Sequence, residues 1–479
     1  MTKALSPDVA RTATGRGAML AVLLTAVFIV QFDFFVVNVA APSLESDLGA
    51  GPAALELIVG GYAFAYAAGM ITGGRLGDMY GHRKLFVIGV LAFTVTSLLC
   101  GIAGSPEQLV LARLAQGLAG AIMVPQVLAV ITADFPAESQ GRAFAGYGMA
   151  AGLGSIAGQV LGGAMVQANL FDLGWRLIFL INVPIGIVTA IVAARVLPDR
   201  RDNPRTGLDP IGAVGVSAAL ALLLVPLGLG HSAGWPAWTW VCMVLAVPVA
   251  VAVLYWERML ARRDGSPVLD LALFRVSSFR AGIIAGVAFN LYFGSLMFTL
   301  TLLLQSGLDL TPFEAGLVFS PMGVFFSLSA MYGGKLTARF GMNSLIGGSL
   351  VTALGLVLFG GGLALSGPEL SVAWMVFCLA LIGLGNGAVL PSLMGASLMK
   401  VRPESAGVAS GVLTTSQQFS ISAGVAVIGA LYFGVVGARG DGAAHAEAMQ
   451  WSVWINVALV FAVISMVLVL KKIAKAEQP

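Results

Sequence analysis

Apolar residues in this chain occur in fourteen long runs, separated by short segments that carry most of the charged residues. Each run has about 18–31 residues, and at 1.5 Å rise per residue that length crosses a hydrocarbon layer about 30 Å thick. Backbone polar groups in lipid must hydrogen-bond internally, and the runs are too long for barrel strands, so we predict helices. The runs are Ala18–Ala41, Leu55–Gly74, Leu85–Ala103, Gln108–Ala133, Ala143–Val166, Leu177–Ala194, Ile211–Leu229, Ala237–Trp256, Ala281–Leu304, Ala315–Gly334, Ser344–Leu365, Ser371–Leu398, Ala406–Val436 and Trp451–Leu470.

The composition excludes a soluble globular protein. Hydrophobic residues make up 58% of the 479 positions and charged residues only 10%, whereas soluble domains carry about 25% charged residues. We therefore predict an all-α integral membrane protein.

Basic residues indicate the orientation. With the N-terminus in the cytoplasm, all but three of the 26 Lys and Arg residues fall on the inner side, the exceptions being Arg113, Arg176 and Arg439. Fourteen crossings then place both termini in the cytoplasm. The net charge of +3 reflects this topology and not an affinity for nucleic acid. We expect a multi-pass protein of the cell inner (cytoplasmic) membrane, with no cleaved signal.

The chain repeats itself weakly. The segment Gly73–Leu76 recurs as Gly333–Leu336, 260 residues later. Gly117 and Pro125, eight residues apart, recur as Gly383 and Pro391, 266 residues later. These offsets fit two six-helix halves separated by two further helices. Parallel repeats of this kind build transporters whose substrate site lies between the halves.

The domain organisation follows from this repeat. We predict an N-terminal six-helix bundle at residues 1–200, an inserted helix pair with cytoplasmic linkers at 201–278, and a C-terminal six-helix bundle at 279–479. The runs of the inserted pair contain no acidic or basic residue, which is typical of lipid-facing packing helices.

Three segments carry a family resemblance. Residues 74–84 (GRLGDMYGHRK) resemble the loop motif between helices two and three of the major facilitator superfamily. Residues 31–42 (QFDFFVVNVAAP) and residues 175–186 (WRLIFLINVPIG) resemble the fourteen-helix drug:proton antiporter group of that superfamily.

The resemblance implies the major facilitator fold and a transporter that is not an enzyme. It implies a proton gradient as the energy source with no cofactor. The partners would be a small-molecule substrate, protons and the lipid bilayer, with no nucleic acid and no metal, in a monomer.

The resemblance also implies a cytoplasmic gating loop that holds the two halves together on the inner side. In this loop Asp78 would meet the start of the thirteenth crossing near Ser405. The basic residues could equally serve only as inside-positive anchors. The candidate loop residues are Gly74, Asp78, Gly81, Arg83 and Lys84.

Asp33 is the first candidate for coupling chemistry. A carboxyl group within a membrane-spanning run costs about 2.5–3.5 kcal/mol on insertion scales, so such residues usually face a cavity and have a function. Away from bulk water the neutral acid is favoured, and hydration or an arriving cation releases the proton. The alternative is a structural, hydrogen-bonded Asp.

Arg113 is the second charged residue within a run, in a segment that resembles the proton-transfer motif of the fourth helix. Asp33 lies eight residues from the outer end of its run, about 12 Å, and Arg113 lies five residues from its outer start, about 8 Å. These depths allow the two side chains to meet directly or through water. An Arg that only braces neighbouring carbonyl groups is the alternative.

Glu56 opens the second run. It could either complement the helix dipole as a cap or contact a cationic substrate.

The fifth run carries Gly154, Gly158 and Gly162 at four-residue spacing, which lets helices approach closely. They resemble the antiporter signature, in which the position of Gln159 is usually proline. Both a packing role and a gating role remain open.

Five residues are candidates for the substrate cavity: Gln159, Phe35, Tyr62, Asn290 and Gln417. Aromatic rings could bind flat cations through cation–π contact, or they could simply pack between helices.

Two functions are compatible with these observations. The first is a proton-coupled multidrug efflux antiporter that expels lipophilic or cationic compounds by alternating access. The second is a proton-coupled exporter or symporter of a dedicated metabolite or lipid. A membrane receptor without transport activity is disfavoured because no loop is long enough to bind a partner.

Overall fold

The computed structural model describes residues 7–198, 209–230, 234–262, 271, 273–401 and 406–475, which are mostly helical, and no strand occurs in those ranges. A π-helical turn at Leu303–Gly307 continues the tenth helix. The helices are α1 (Pro7–Leu48), α2 (Pro52–Tyr80), α3 (His82–Gly101), α4 (Pro106–Asp134), α5 (Ala137–Ala168), α6 (Leu177–Leu180), α7 (Asn182–Val196), α8 (Pro210–Gly230), α9 (Ala237–Arg262), α10 (Ser277–Leu302), α11 (Pro312–Phe340), α12 (Asn343–Ser366), α13 (Val372–Leu398), α14 (Ala406–Val436) and α15 (Gly442–Lys475).

The predicted all-α membrane architecture is confirmed. Within the described residues, 13 segments are long and apolar enough to cross a membrane, with α6 and α7 together forming the crossing Gly174–Val196. α8 lies at the remaining crossing of the predicted fourteen and has 21 residues, about 31 Å at helical rise, and its crossing of the membrane stays a prediction.

Helix ends follow local sequence signals. The side chain of Ser105 caps α4, and Thr311 and Glu314 form a capping box that opens α11. Gly81 ends α2 at φ 94° and Gly341 ends α11 at φ 57°, conformations that L side chains rarely adopt. Gly81 and Gly341 lie 260 residues apart, the same offset as Gly73–Leu76 and Gly333–Leu336, so the internal repeat includes matching turns.

The helices on either side of the inserted pair pack in the same pattern. In the N-terminal set α1 packs along α5, α2 along α4 and α3 along α7. In the C-terminal set α10 packs along α14, α11 along α13 and α12 along α15. The internal repeat thus extends to tertiary packing, while the boundaries placed after residues 200 and 278 stay predictions.

The two largest interfaces between the sets are those of α5 with α11 and of α2 with α14. The second interface, called here the outer seam, runs from the outer end of α2 to its middle. Phe64 and Phe419 meet there edge to face, with ring centroids 5.5 Å apart. The residues of the outer seam are Glu56, Gly60 and Phe64 on α2, and Phe419, Val425 and Gly429 on α14.

Of the inserted pair, α8 packs against the outer seam, and α9 packs along α8. The indole of Trp256 on α9 donates a hydrogen bond of 2.9 Å to Asp209, which precedes α8. Leu220 of α8 packs against the Phe64 and Phe419 cluster. The predicted lipid-facing position fits α9, because much of its surface is exposed. By contrast, α8 also covers a junction between the two sets of helices.

Gly163 provides a test of the α5–α11 interface. A Cβ at this position would meet the Pro312 carbonyl and would lie 2.9 Å from the Phe313 Cα, both backbone groups that cannot rotate away. We expect Gly163→Ala to destabilise the protein by about 1–3 kcal/mol through overpacking. Thermal unfolding in detergent measures this effect.

Gly148 on the same helix is the matched control, because a Cβ there meets nothing within 4 Å. Gly148→Ala should leave stability unchanged or raise it slightly, since Ala favours helix over Gly. Equal effects at both positions would show that the α5–α11 contact is not tightly packed.

Candidate functional site

Asp33 lies in the interior of the N-terminal helices with its side chain fully buried. Its Oδ2 accepts a hydrogen bond from Nη1 of Arg113 on α4. Its Oδ1 accepts from the Gln116 side-chain amide at 2.8 Å and from the Asn182 side-chain amide at 2.9 Å. Every neighbour donates and none accepts, which suits an ionised carboxylate.

Arg113 connects Asp33 to α2 and to Gln116 of its own helix. Its Nε donates to the Ile58 carbonyl of α2 at 3.1 Å, and Nη1 also donates to the Gln116 Oε1 at 2.7 Å. The guanidinium lies over the Tyr62 ring, 4.2 Å from its centroid, which stabilises a desolvated cation. Asp33 and Arg113 were predicted to be able to meet, and the structure places them in direct contact without solvent exposure.

Sequence reasoning missed part of this network. Gln116 also donates to Ser97 Oγ at 2.8 Å and accepts from the Cys100 thiol at 3.5 Å. Ser97 was not a candidate, Gln116 lies three residues after Arg113 in the segment that resembles the proton-transfer motif, and Asn182 lies in the segment 175–186 that resembles the antiporter group. The only feature of the sequence that could have indicated Gln116 and Asn182 was their position within these family motifs.

The network of Asp33, Arg113, Gln116 and Asn182 can exist in two charge states. With Asp33 ionised it is a neutral ion pair with amide donors. Addition of a proton to Asp33 would remove the charge that holds Arg113 and would leave a net positive charge on α4. A proton at this site therefore changes the interactions among α1, α2, α4 and α7 at once.

Glu56 is separate from this network. It lies on α2 at the outer seam, 4% exposed, and its Oε2 has no hydrogen-bond partner. The first turn of α2, which begins at Pro52, contains no acidic residue. The structure therefore gives no support to the cap interpretation, and the interpretation as a cation contact stays a prediction.

The predicted cavity residues lie in several places. Tyr62 is fully buried beneath Arg113, and Phe35 packs edge to face with Phe293 of α10, with ring centroids 6.0 Å apart. The Gln159 amide nitrogen lies 4.0 Å from the Met297 sulfur of α10. Phe35 and Gln159 thus lie where the two sets of helices meet.

Asn290 and Gln417 belong to the C-terminal helices. Asn290 bonds the Gly286 carbonyl of its own helix at 2.8 Å. A Cβ at Gly286 would lie 3.9 Å from the Gln417 amide nitrogen, so the two predicted residues approach the same turn of α10. Substrate contact by either residue stays a prediction.

A cavity of about 280 Å³ lies between the inner halves of α1 and α5. Its lining is mostly apolar, and none of the predicted cavity residues contributes to it. The lining residues are Ala21, Leu24, Thr25, Phe28, Gly146, Met149, Ala150 and Leu153.

The three glycines of α5 lie against α1. A Cβ at Gly154 would lie 2.6 Å from the Phe28 carbonyl oxygen, and one at Gly158 would lie 2.7 Å from that of Phe32. A Cβ at Gly162 would meet the Val36 side chain. These contacts give the glycines a packing role, and a gating role stays a prediction.

The predicted cytoplasmic loop is largely helical, because α2 continues to Tyr80, α3 begins at His82, and only Gly81 lies between them. Gly81 provides the turn between α2 and α3, and Arg83 donates to the Ala194 carbonyl at the end of α7. Gly74 is half-buried and Lys84 is exposed.

The acidic contact of this loop is not described. The Asp78 side chain and its predicted acceptor Ser405 lie outside the described residues. The gating role of the loop stays a prediction.

Among the described residues no group of three or more His, Cys, Asp or Glu side chains could hold a metal ion.

Comparison with known sequences identifies the family. The sequence model of the Major Facilitator Superfamily matches residues 23–209 and 211–425. The chain belongs to the Major Facilitator Superfamily. As a member, it is a multi-pass membrane transporter of small-molecule substrates.

Two curated relatives of this superfamily member are each named for the transport or export of one compound. The chain is 38% identical over 441 residues to the probable actinorhodin transporter of Streptomyces coelicolor, covering 90% of this chain and 76% of the relative. It is 33% identical over 415 residues to the tetracenomycin C resistance and export protein of Streptomyces glaucescens, covering 86% of this chain and 75% of the relative.

Solved structures of the superfamily agree in fold. A bacterial homologue of the human lysosomal transporter Spinster, in an inward-facing and occupied conformation, superposes with a TM-score of 0.68 at 15% identity. The match covers 95% of this chain and 97% of the other.

Proposed function

We propose that this protein is a proton-coupled efflux antiporter that expels lipophilic or cationic compounds by alternating access. The observation that carries the proposal is the fully buried Asp33 carboxylate held by Arg113, Gln116 and Asn182. The resistance and export named for the tetracenomycin C relative support efflux as the direction.

Proton binding acts through the ion pair. A protonated Asp33 no longer attracts Arg113 as a charge, and its hydroxyl becomes a donor that needs an acceptor. The Asn182 Oδ1, which has no hydrogen-bond partner among the described residues, belongs to a side chain that already contacts Asp33. Proton binding thus rearranges this network, and proton release restores it.

The rearrangement reaches the substrate pathway through α2. Arg113 holds the Ile58 carbonyl on one side of α2, and the outer seam lies on another side of the same helix. Once Arg113 no longer pairs with Asp33, it can also leave the Ile58 carbonyl, and α2 is then free to move relative to α4. The opening of the outer seam is in this way linked to the proton on Asp33.

The membrane potential adds to the driving force. Each proton that crosses with the potential contributes about 2.3 kcal/mol per 100 mV. This energy would offset the free energy needed to transport the substrate against its concentration gradient.

A second candidate function is proton-coupled transport of one dedicated metabolite or lipid. Gln159 favours it, because this glutamine stands at a position where the antiporter signature usually has proline. The relatives named for a single compound also favour it.

Purified protein in liposomes with an internal pH dye tests the proposal. A panel of lipophilic cations and neutral aromatic antibiotics is added, with and without a protonophore. We expect a subset of the panel to drive protons in the direction opposite to the substrate, and the protonophore to abolish accumulation. Protons that move with the substrate would instead establish symport, and accumulation that resists the protonophore would contradict proton coupling.

A further inference from the structure

Glu56 is an acidic side chain that the mechanism above does not use. On α14, a Cβ at Gly429 would lie 3.0 Å from the Glu56 Oε1, and the same point lies 3.1 Å from Cε1 of Phe298 on α10. The carboxyl group is thus enclosed by three helices from both sets, and 4% of the residue remains exposed.

Glu56 has no charged neighbour in the part of the chain that the structure describes. Its facing residues, Gly429 and Phe298, do not titrate. The next titratable group on α14 is Tyr432, whose hydroxyl is bonded to His445 of α15 at 2.9 Å. Glu45 and Asp47 lie exposed at the outer end of α1, and the described part of α8 carries no acidic or basic residue.

The closed outer seam fits only the neutral form of Glu56. Its Oε2 is buried without a hydrogen-bond partner, and an ionised carboxylate in that position would lose its hydration with no donor to replace it. Separation of α2 from α14 would expose the group to water, where the ionised form is stable.

The position of Glu56 also determines which side of the membrane supplies its proton. It lies four residues from the start of α2, about 6 Å from the outer end of the helix. Further in, the seam is closed by Gly60 against Val425 and by Phe64 against Phe419. A proton on Glu56 therefore exchanges with the outer solution when the seam opens and has no described route inward.

We propose that Glu56 is a proton-binding site that controls the outer seam: the seam closes when Glu56 is protonated from outside and stays open while it is ionised. This proposal rests on the proposed function for alternating access. In the proposed function the Asp33 proton is transported across the membrane, whereas in this proposal the Glu56 proton is not. An acidic exterior would then speed the return to the inward-facing state without changing the number of protons moved per substrate.

Distance measurements between spin labels across the outer seam test this proposal. Spin labels are attached at Gly51→Cys and Ala438→Cys, both exposed at the outer side, in lipid nanodiscs. The protein also carries Cys242→Ser, which removes a half-buried free cysteine that could take up label. Closed and open populations are measured between about pH 5 and about pH 9, a range that includes the titration of a carboxyl group in changing surroundings.

Because the proton on Asp33 is also linked to the seam, the effect of Glu56 is measured in the Asp33→Asn background. There we expect the closed-to-open ratio to fall as the pH rises, by up to about tenfold per pH unit, the limit for one linked proton. Adding Glu56→Gln, which keeps the size but binds no proton, should leave the seam closed across the range, whereas adding His445→Gln should retain the pH dependence.

Several results would overturn the proposal. These are a pH-independent ratio in Asp33→Asn, an unchanged pH dependence when Glu56→Gln is added, and loss of the pH dependence when His445→Gln is added. If Glu56→Gln does not fold, Glu56→Leu replaces it, because an apolar side chain also suits the closed seam. The proposed function fails separately, by an absence of proton movement in the liposome assay, and that outcome does not alter the distance measurement.

Discussion

Replacing Asp33 with Asn reduces substrate-driven proton movement to the level of liposomes without protein. Asn has the same shape as Asp but binds no proton at neutral pH, so the network retains its packing and loses its titratable group. Gln116 and Asn182, which contact Oδ1, can still bond the amide oxygen. The internal pH dye of the liposome assay measures the loss directly.

Asp47→Asn is the matched control, because Asp47 lies exposed at the outer end of the same helix. It should transport like the parent protein. Asp33→Asn leaves Arg113 without its counter-charge and is expected to be less stable, so Asp33→Asn/Arg113→Met is assayed beside it and should also lack proton movement. Undiminished proton movement in either variant would exclude Asp33 as the coupling group.

The sequence was sufficient to predict the membrane helices and the meeting of Asp33 with Arg113. Both follow from one physical cause, the high free energy of polar and charged groups in lipid. Long apolar runs have no other stable arrangement than helices, and two opposite charges at similar depth stabilise each other.

The supporting residues of the site were not predictable in the same way. Ser97, Gln116 and Asn182 are uncharged, and the sequence contains many similar residues that bond only their own helix, as Asn290 does. Which of them reaches Asp33 depends on how α3, α4 and α7 rotate about their axes. That rotation is set by packing against neighbouring helices.

Glu56 shows the same limit. The sequence left open whether it caps α2 or contacts a cation, because periodicity does not say which neighbour lies beside a given face. The structure places Gly429 of α14 opposite Glu56, and the small residue is what allows α14 to approach this carboxyl group. The position of α8 against the outer seam was equally beyond reach, since an uncharged apolar helix can pack against lipid or protein.

The second large effect expected is thermodynamic coupling between Asp33 and Arg113. Both side chains are fully buried, so removing either partner strands the other charge, at a cost of about 3–5 kcal/mol. Asp33→Asn/Arg113→Met removes both charges together and keeps the amide contacts at position 33. We expect the double variant to be more stable than the sum of the single changes implies, by about 2–3 kcal/mol.

Reversible unfolding in mixed micelles measures the four members of this cycle, and the exposed Arg439–Glu447 pair, at 2.7 Å, supplies the comparison cycle. Arg439→Met and Glu447→Gln should show no coupling beyond measurement error, because solvent screens that pair. A similar absence of coupling for Asp33 and Arg113 would mean that water reaches the buried pair in the membrane. Proton binding at Asp33 could then no longer release Arg113 from a strong ion pair, and the link from Asp33 through Arg113 to the Ile58 carbonyl of α2 would be too weak to move the outer seam.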